Sequence, residues 1–113
     1  MKIPNSDHAI ADIRKLKEYS LNTEHRMGKN KARVFASALG LKIEDAEVLR
    51  EILIKSVQEY DAVVALKDVY GQRYQIDFPL EWKGRQSMVR STWIIEPNMP
   101  YPRLTSCYVL KKQ

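Results

Sequence analysis

A chain of 113 residues, 44% apolar and 29% charged with both signs present, reads as one globular domain and excludes a disordered or low-complexity chain. Its net charge of +5 favours an anionic partner, and no apolar run reaches the roughly 18–20 residues that a membrane span needs. The lone Cys107 excludes an internal disulfide framework, and one Cys with two separated His offers no zinc-type cluster.

The opening stretch MKIPNSDHAI lacks the apolar core of a secretory signal, so the cytoplasm is the expected compartment. Ile3-Pro4-Asn5 reads as an extended entry, and His8 to Ala11 as a short strand. Asp12 is a plausible N-cap for a first helix, Ile13 to about Leu21. Asn22 to Gly28 is a polar loop. A second helix is predicted from about Lys29 to Leu39, because Ala32, Phe35, Ala36 and Leu39 follow the spacing of a buried stripe. Gly40 sits where a left-handed cap residue belongs. The third helix, about Glu44 to Tyr60, opens with Glu44, Asp45 and Glu47, which suit its positive end.

After Asp61 the pattern changes to strands. Ala62 to Leu66 reads as an edge strand, and Tyr74, Ile76 and Phe78 alternate with polar neighbours. Lys83-Gly84 marks a turn, and Met88 to Ile95 is rich in strand formers. Glu96-Pro97-Asn98 and Pro100-Tyr101-Pro102 read as a proline-stiffened connection before a last strand, Arg103 to Leu110. The expected fold is α+β: one domain over 1–113, with two to three helices across about 12–60 packed on one face of a four-stranded antiparallel sheet across about 62–110. The other face is left for solvent or a ligand.

Charge is distributed unevenly. Residues 1–33 hold eight Lys/Arg against four Asp/Glu, residues 34–61 three against six, and residues 62–113 eight against four. One cationic and one acidic face follow. The stretch EHRMGKNKARVF concentrates the cations: Arg26, Lys29, Lys31 and Arg33 lie where the second helix begins. A helix start already carries about half a positive charge, and each added cation there costs about 0.3–1 kcal/mol. An anion at that end would offset the cost, held by the cations and by free backbone N–H groups. His25, just before the cluster, titrates near neutrality and is a candidate proton-transfer group. The plain alternatives are a solvated loop histidine and a solvated charged face.

On the strands, Ser106 and Tyr108 share one face, as do Ser91 and Trp93, with Thr92 and Thr105 opposite. Hydroxyls and a ring on one face suit a ribose, a phosphate or a stacked base; the alternative is that the aromatics are core and the hydroxyls pack between strands. Alternation does not decide which set faces the open side. Arg73 and Arg90 are candidate phosphate contacts. No Gly-rich phosphate loop, GxSxG or HExxH occurs, so if the chain is an enzyme, metal-free acid–base chemistry without a cofactor fits the available residues best.

The segments KLKEYSLNTEHRMGKNKARVFASALGL, YGQRYQIDF, VRSTWII and RLTSCYVL resemble a family of small bacterial domains of unknown function, over nearly the whole chain. At greater distance, helices followed by a four-stranded meander look like the barnase–EndoU–colicin–RelE superfamily of metal-independent ribonucleases, many of them toxins neutralised by an antitoxin or immunity protein. That resemblance implies His25 as the acid–base residue, Lys31 as the phosphate-stabilising cation, Ser106 beside Tyr108 as the strand hydroxyl, and Lys29 and Arg33 as RNA contacts; Arg73, Arg90 and Ser91, read from the strands themselves, complete the expected RNA-binding set. Members often carry Pro after the His, Thr before the Cys-Tyr pair and a second His where Asn30 stands; here the residues are Arg26, Ser106 and Asn30. It further implies an RNA substrate, a partner protein with an acidic surface, and a toxin acting in the cytoplasm, made there or delivered into a target cell. The alternative from a different class is a non-enzymatic module that binds RNA or an acidic protein.

Overall fold

The computed structural model describes residues 1–110. Three helical stretches precede a four-stranded antiparallel sheet. Helix α1 covers Ile13–Lys15 and continues as a π-helical turn, Leu16–Ser20, closed by the Leu21 amide on the Leu16 carbonyl at 2.9 Å. The Asp12 side chain caps its start by accepting from the Arg14 amide. Helix α2 spans Lys29–Leu39 and buries Ala32, Phe35 and Leu39. It ends at Gly40 with φ 72°; the Gly40 amide donates to Ala36 and the Leu41 amide to Phe35, closing the left-handed cap. Helix α3 spans Ala46–Glu59 after a 3-10 turn, Ile43–Asp45, in which the Asp45 carboxylate accepts from the Lys42 amide. Its Leu49, Leu53 and Val57 form one buried stripe.

Strands β1 (Val63–Asp68), β2 (Gly71–Trp82), β3 (Arg85–Glu96) and β4 (Met99–Val109) pair in the order β1-β2-β3-β4. All three connections are two-residue hairpins, and Lys83 (φ 48°) with Gly84 (φ 82°) supplies the two positive φ values such turns favour. Tyr74, Ile76, Phe78 and Leu80 of β2, with Val89 and Trp93 of β3 and Leu104, Cys107 and Val109 of β4, pack against Leu16, Phe35, Leu39, Leu49 and Leu53. The helices therefore cover one sheet face, and the other carries Gln75, Asp77, Arg90, Thr92, Ser106 and Tyr108 in register.

Three local expectations are corrected. His8 to Ala11 is no strand: Ser6–His8 is a 3-10 turn, and Ile10 alone bridges β4, exchanging hydrogen bonds with Pro102 and Leu104. Pro100-Tyr101-Pro102 lies inside β4, which an edge strand tolerates because a proline there loses no ladder donor. The alternation in β4 breaks at a bulge. Thr92 pairs with Ser106 while Trp93 pairs with Leu104, so Thr105 is the extra residue.

The Ser91–Trp93 pair decides which strand residues face the helices. Both are 0% exposed, and the Trp93 indole N–H donates to Ser91 Oγ at 2.9 Å. Ser91→Ala leaves that buried donor without its acceptor. The expected loss is about 1–3 kcal/mol of stability, read as a lower denaturant midpoint; an unchanged midpoint contradicts this pairing.

Candidate functional site

The loop before α2 is organised by two side chains. Asn22 Oδ1 accepts from the Glu24 amide at 2.9 Å, and Asn22 Nδ2 donates to the Glu18 carbonyl. His25 Nδ1 accepts from the amides of Met27 and Gly28, both at 3.0 Å. The His25 side chain thereby closes the turn that leads into α2, and its backbone carbonyl accepts from the Lys29 amide at 2.9 Å; Gly28, the N-cap residue, has no side chain to cap the helix. The Tyr19 ring meets the imidazole edge-on at 4.6 Å between centroids. Gly28 is needed for this fit, since a Cβ there would lie 2.9 Å from the Tyr19 carbonyl oxygen. An Nδ1 that accepts two N–H groups assigns the imidazole proton to Nε2. The amides of Asn30 and Lys31 donate to no protein acceptor among the described residues.

His25 faces a cavity of about 400 Å³ lined also by Arg14, Lys15, Glu18, Tyr19, Thr105 and Ser106. Lys31 faces a second cavity, about 350 Å³, with Asn30, Val34, Tyr108 and Leu110. The Lys31 ammonium stands 4.4 Å from the centroid of the Tyr108 ring. Ser106 and Tyr108 are two positions apart on one face of β4, a rise of roughly 6.6–6.8 Å. The two cavities share no lining residue: His25 and Ser106 line the first, Lys31 and Tyr108 the second, and β4 contributes to both. A larger cavity of about 530 Å³ lies on the other flank of α2, over Leu21, Ala32 and Leu41, and contains none of these four residues.

The bulge supplies a hydroxyl cluster that strand alternation concealed. Thr92 Oγ1 lies 2.8 Å from Ser106 Oγ and 2.6 Å from Thr105 Oγ1. Strict alternation puts Thr92 and Thr105 on the face opposite Ser106; one inserted residue brings all three together. Arg14 and Lys15 were also not legible as site residues. Arg14 is held by Asp12 at 2.8 Å, and that hydrogen bond lowers the Asp12 pKa to about 2.

Ion pairing sorts the remaining cations. Arg90 is bound in two contacts by Asp77, at 2.8 and 3.0 Å, and its pKa is raised, first by Asp77 and then by Tyr108. Arg73 pairs with Asp68 at 3.6 Å. Among the described residues Lys31, Lys29 and Arg33 enter no ion pair. Lys29 and Lys31 stand about 200° apart around the helix, so Lys29 and Arg33 occupy the flank away from Tyr108. Lys31, on the Tyr108 ring, and Lys15, in the cavity with Ser106, are thus cations at this edge with no ion pair among the described residues. Ser91 faces the helices and serves Trp93, away from the open sheet face.

Cys107 lies on the covered face beneath this edge, and burial pushes its thiol up to about 12. The native protein is expected to resist iodoacetamide at neutral pH and to react once unfolded in guanidinium. Fast native alkylation contradicts the buried placement.

No helix among the described residues is long and apolar enough to cross a membrane. A family model described as Domain of unknown function (DUF6883) matches residues 2–111. No curated protein matches the chain. One solved structure with the same fold is a chain of a contact-dependent growth inhibition toxin–immunity protein complex from Klebsiella pneumoniae 342, with a TM-score of 0.70 at 16% identity, covering 96% of this chain and 98% of that one. At that identity the likeness shows the fold alone.

Proposed function

The chain belongs to the family of domains of unknown function DUF6883, and from its β4 edge we propose that it is a metal-independent ribonuclease, the toxin of a toxin–antitoxin or toxin–immunity pair. The observation that carries this reading is Lys31: an unpaired cation held on Tyr108, at a helix start with free amides, beside the cavity shared by His25 and Ser106. Such a place suits a phosphate flanked by nucleotides on either side.

In the proposed reaction the ribose 2′-OH attacks the adjacent phosphorus. A P–O2′ bond forms, the P–O5′ bond breaks, and the 2′-OH proton leaves as O5′ gains one. Lys31 and the Asn30 and Lys31 amides offset the charge that builds on the phosphate oxygens. Ser106 and Thr92 donate hydrogen bonds to the same group or to the ribose. His25 has two available parts. With Nδ1 held by the Met27 and Gly28 amides, it offers Nε2–H as a fixed donor. To move a proton it must release those amides, and the phosphate oxygens can then accept from them in its place. Substrate binding and the freeing of the imidazole are coupled in this scheme.

The fold shared with a chain of a toxin–immunity protein complex supports a place in such a pair, on the toxin or the immunity side. A partner protein would present acidic side chains to Lys31 and to the Lys29–Arg33 flank. A second reading, a module that binds RNA without cutting it, is favoured by one observation: His25 Nδ1 and Arg90 are both engaged inside the protein. Induced expression separates the two. The ribonuclease arrests growth and degrades cellular RNA. The binding module is tolerated, leaves RNA intact and loses affinity steeply with added salt.

A further inference from the structure

Four side chains form one row across the molecule. Asp77 of β2, Arg90 of β3 and Tyr108 of β4 are successive cross-strand partners on the open face, and Lys31 of α2 covers the Tyr108 ring. Asp77 holds Arg90 through both carboxylate oxygens, at 2.8 and 3.0 Å. A two-point contact of this kind fixes the plane of a guanidinium as well as its position. Arg90 stands between that carboxylate and Tyr108, so its orientation constrains the phenol from the strand side while Lys31 constrains it from the helix side. A carboxylate has no use as a phosphate contact. Its place in a row of cations needs another account.

We propose that Asp77 is a positioning residue for the β4 edge: it holds the Arg90 guanidinium against Tyr108 and off the RNA path, and so sets the ring on which Lys31 stands. The kinetic part of this inference rests on the ribonuclease reading. Freed from Asp77, Arg90 becomes a second mobile cation on the open face. It takes a phosphate wherever one approaches, which strengthens ground-state binding without serving the transition state. Tyr108 loses one of its two supports, and the Lys31 ammonium loses its fixed place. Binding and cleavage then move in opposite directions, which a general loss of structure would not produce.

The test compares Asp77→Asn with wild type in the Arg90 and the Arg90→Gln backgrounds. Binding is measured with a single-stranded 2′-O-methyl oligonucleotide, and cleavage with the unmodified RNA of the same sequence. Asp77→Asn is expected to lower Kd by about threefold to tenfold through the released cation. It lowers kcat by about tenfold or more through the misplaced edge. In the Arg90→Gln background the same change is expected to move neither quantity by more than about twofold, because Asp77 acts through Arg90. Weaker binding by Asp77→Asn, or an equal effect in both backgrounds, overturns the proposal. A readout without RNA keeps it separate from the ribonuclease reading. In wild type the Arg90 Nε–H resonance is protected from exchange and the Tyr108 ring gives one sharp set of signals; Asp77→Asn loses the first and broadens the second. If wild type cleaves no RNA but these NMR changes appear, the ribonuclease reading falls and the positioning stands. If Tyr108 is unchanged in Asp77→Asn, the positioning falls whatever the activity.

Discussion

His25→Ala is expected to lower RNA cleavage by about 10²- to 10⁴-fold, the range spanned by a positioned proton-transfer group. The same substitution removes the acceptor of the Met27 and Gly28 amides, and losing a turn hydrogen bond of this kind costs about 0.5–1.5 kcal/mol. Activity and stability would therefore fall together, and Ala alone does not separate them. His25→Asn does. An Asn side-chain oxygen accepts amide hydrogen bonds at helix starts, but it cannot move a proton. Its thermal midpoint is expected near that of wild type, with cleavage as low as in His25→Ala. An active His25→Asn would mean that the imidazole serves only to hold the turn before α2. The acid–base part of the account would then fail.

Lys31→Ala is expected to cost about 10²- to 10³-fold in kcat, the effect of removing one preorganised donor from a developing anion. Stability should hardly change, because the exposed ammonium–ring contact with Tyr108 is worth only about 0.5–1 kcal/mol. Lys31→Arg is the informative companion. Its guanidinium can stack on the same ring and keeps the charge, but places it differently. Partial activity in Lys31→Arg with almost none in Lys31→Ala would assign the effect to charge at that spot. Lys29→Ala and Arg33→Ala, on the other flank of α2, should weaken binding slightly and leave kcat alone. Equal losses at all three positions would point to a diffuse cationic surface instead of a site.

The helical half was legible to within a few residues, because its signals are local. The stripe from Ala32 to Leu39, Gly40 after it, and the acids at Glu44, Asp45 and Glu47 each follow from rules that need no tertiary contact. The order of the strands was legible for the same reason. The face of β3 was not. Ser91, Thr92, Trp93 and Ile94 carry no clean alternation, since Trp93 and Ile94 are both buried. Only the pairing of Ser91 with the Trp93 indole separates the sets. The bulge at Thr105 had no mark in the sequence, and it decides that Thr92, Thr105 and Ser106 form one cluster.

At the candidate site, the basic stretch before Phe35 marks the start of α2, where Lys31 meets the Tyr108 ring. Spacing could not show which cations are already engaged. Arg73 and Arg90 look like phosphate contacts until Asp68 and Asp77, five and thirteen residues away in sequence, are found beside them. His25 reads as a proton-transfer residue from its company. That it also closes the turn leading into α2 depends on the loop path set by Asn22, Tyr19 and Gly28, which no motif records.

The account turns on whether the edge of β4 cuts RNA without a metal. The direct measurement is the chemistry of the ends left on a single-stranded RNA incubated with the purified chain and excess chelator. A 2′,3′-cyclic phosphate and a 5′-hydroxyl, produced by wild type and lost with Lys31→Ala, are the predicted result. Intact RNA with wild type, or the same ends at the same rate from Lys31→Ala, would contradict it.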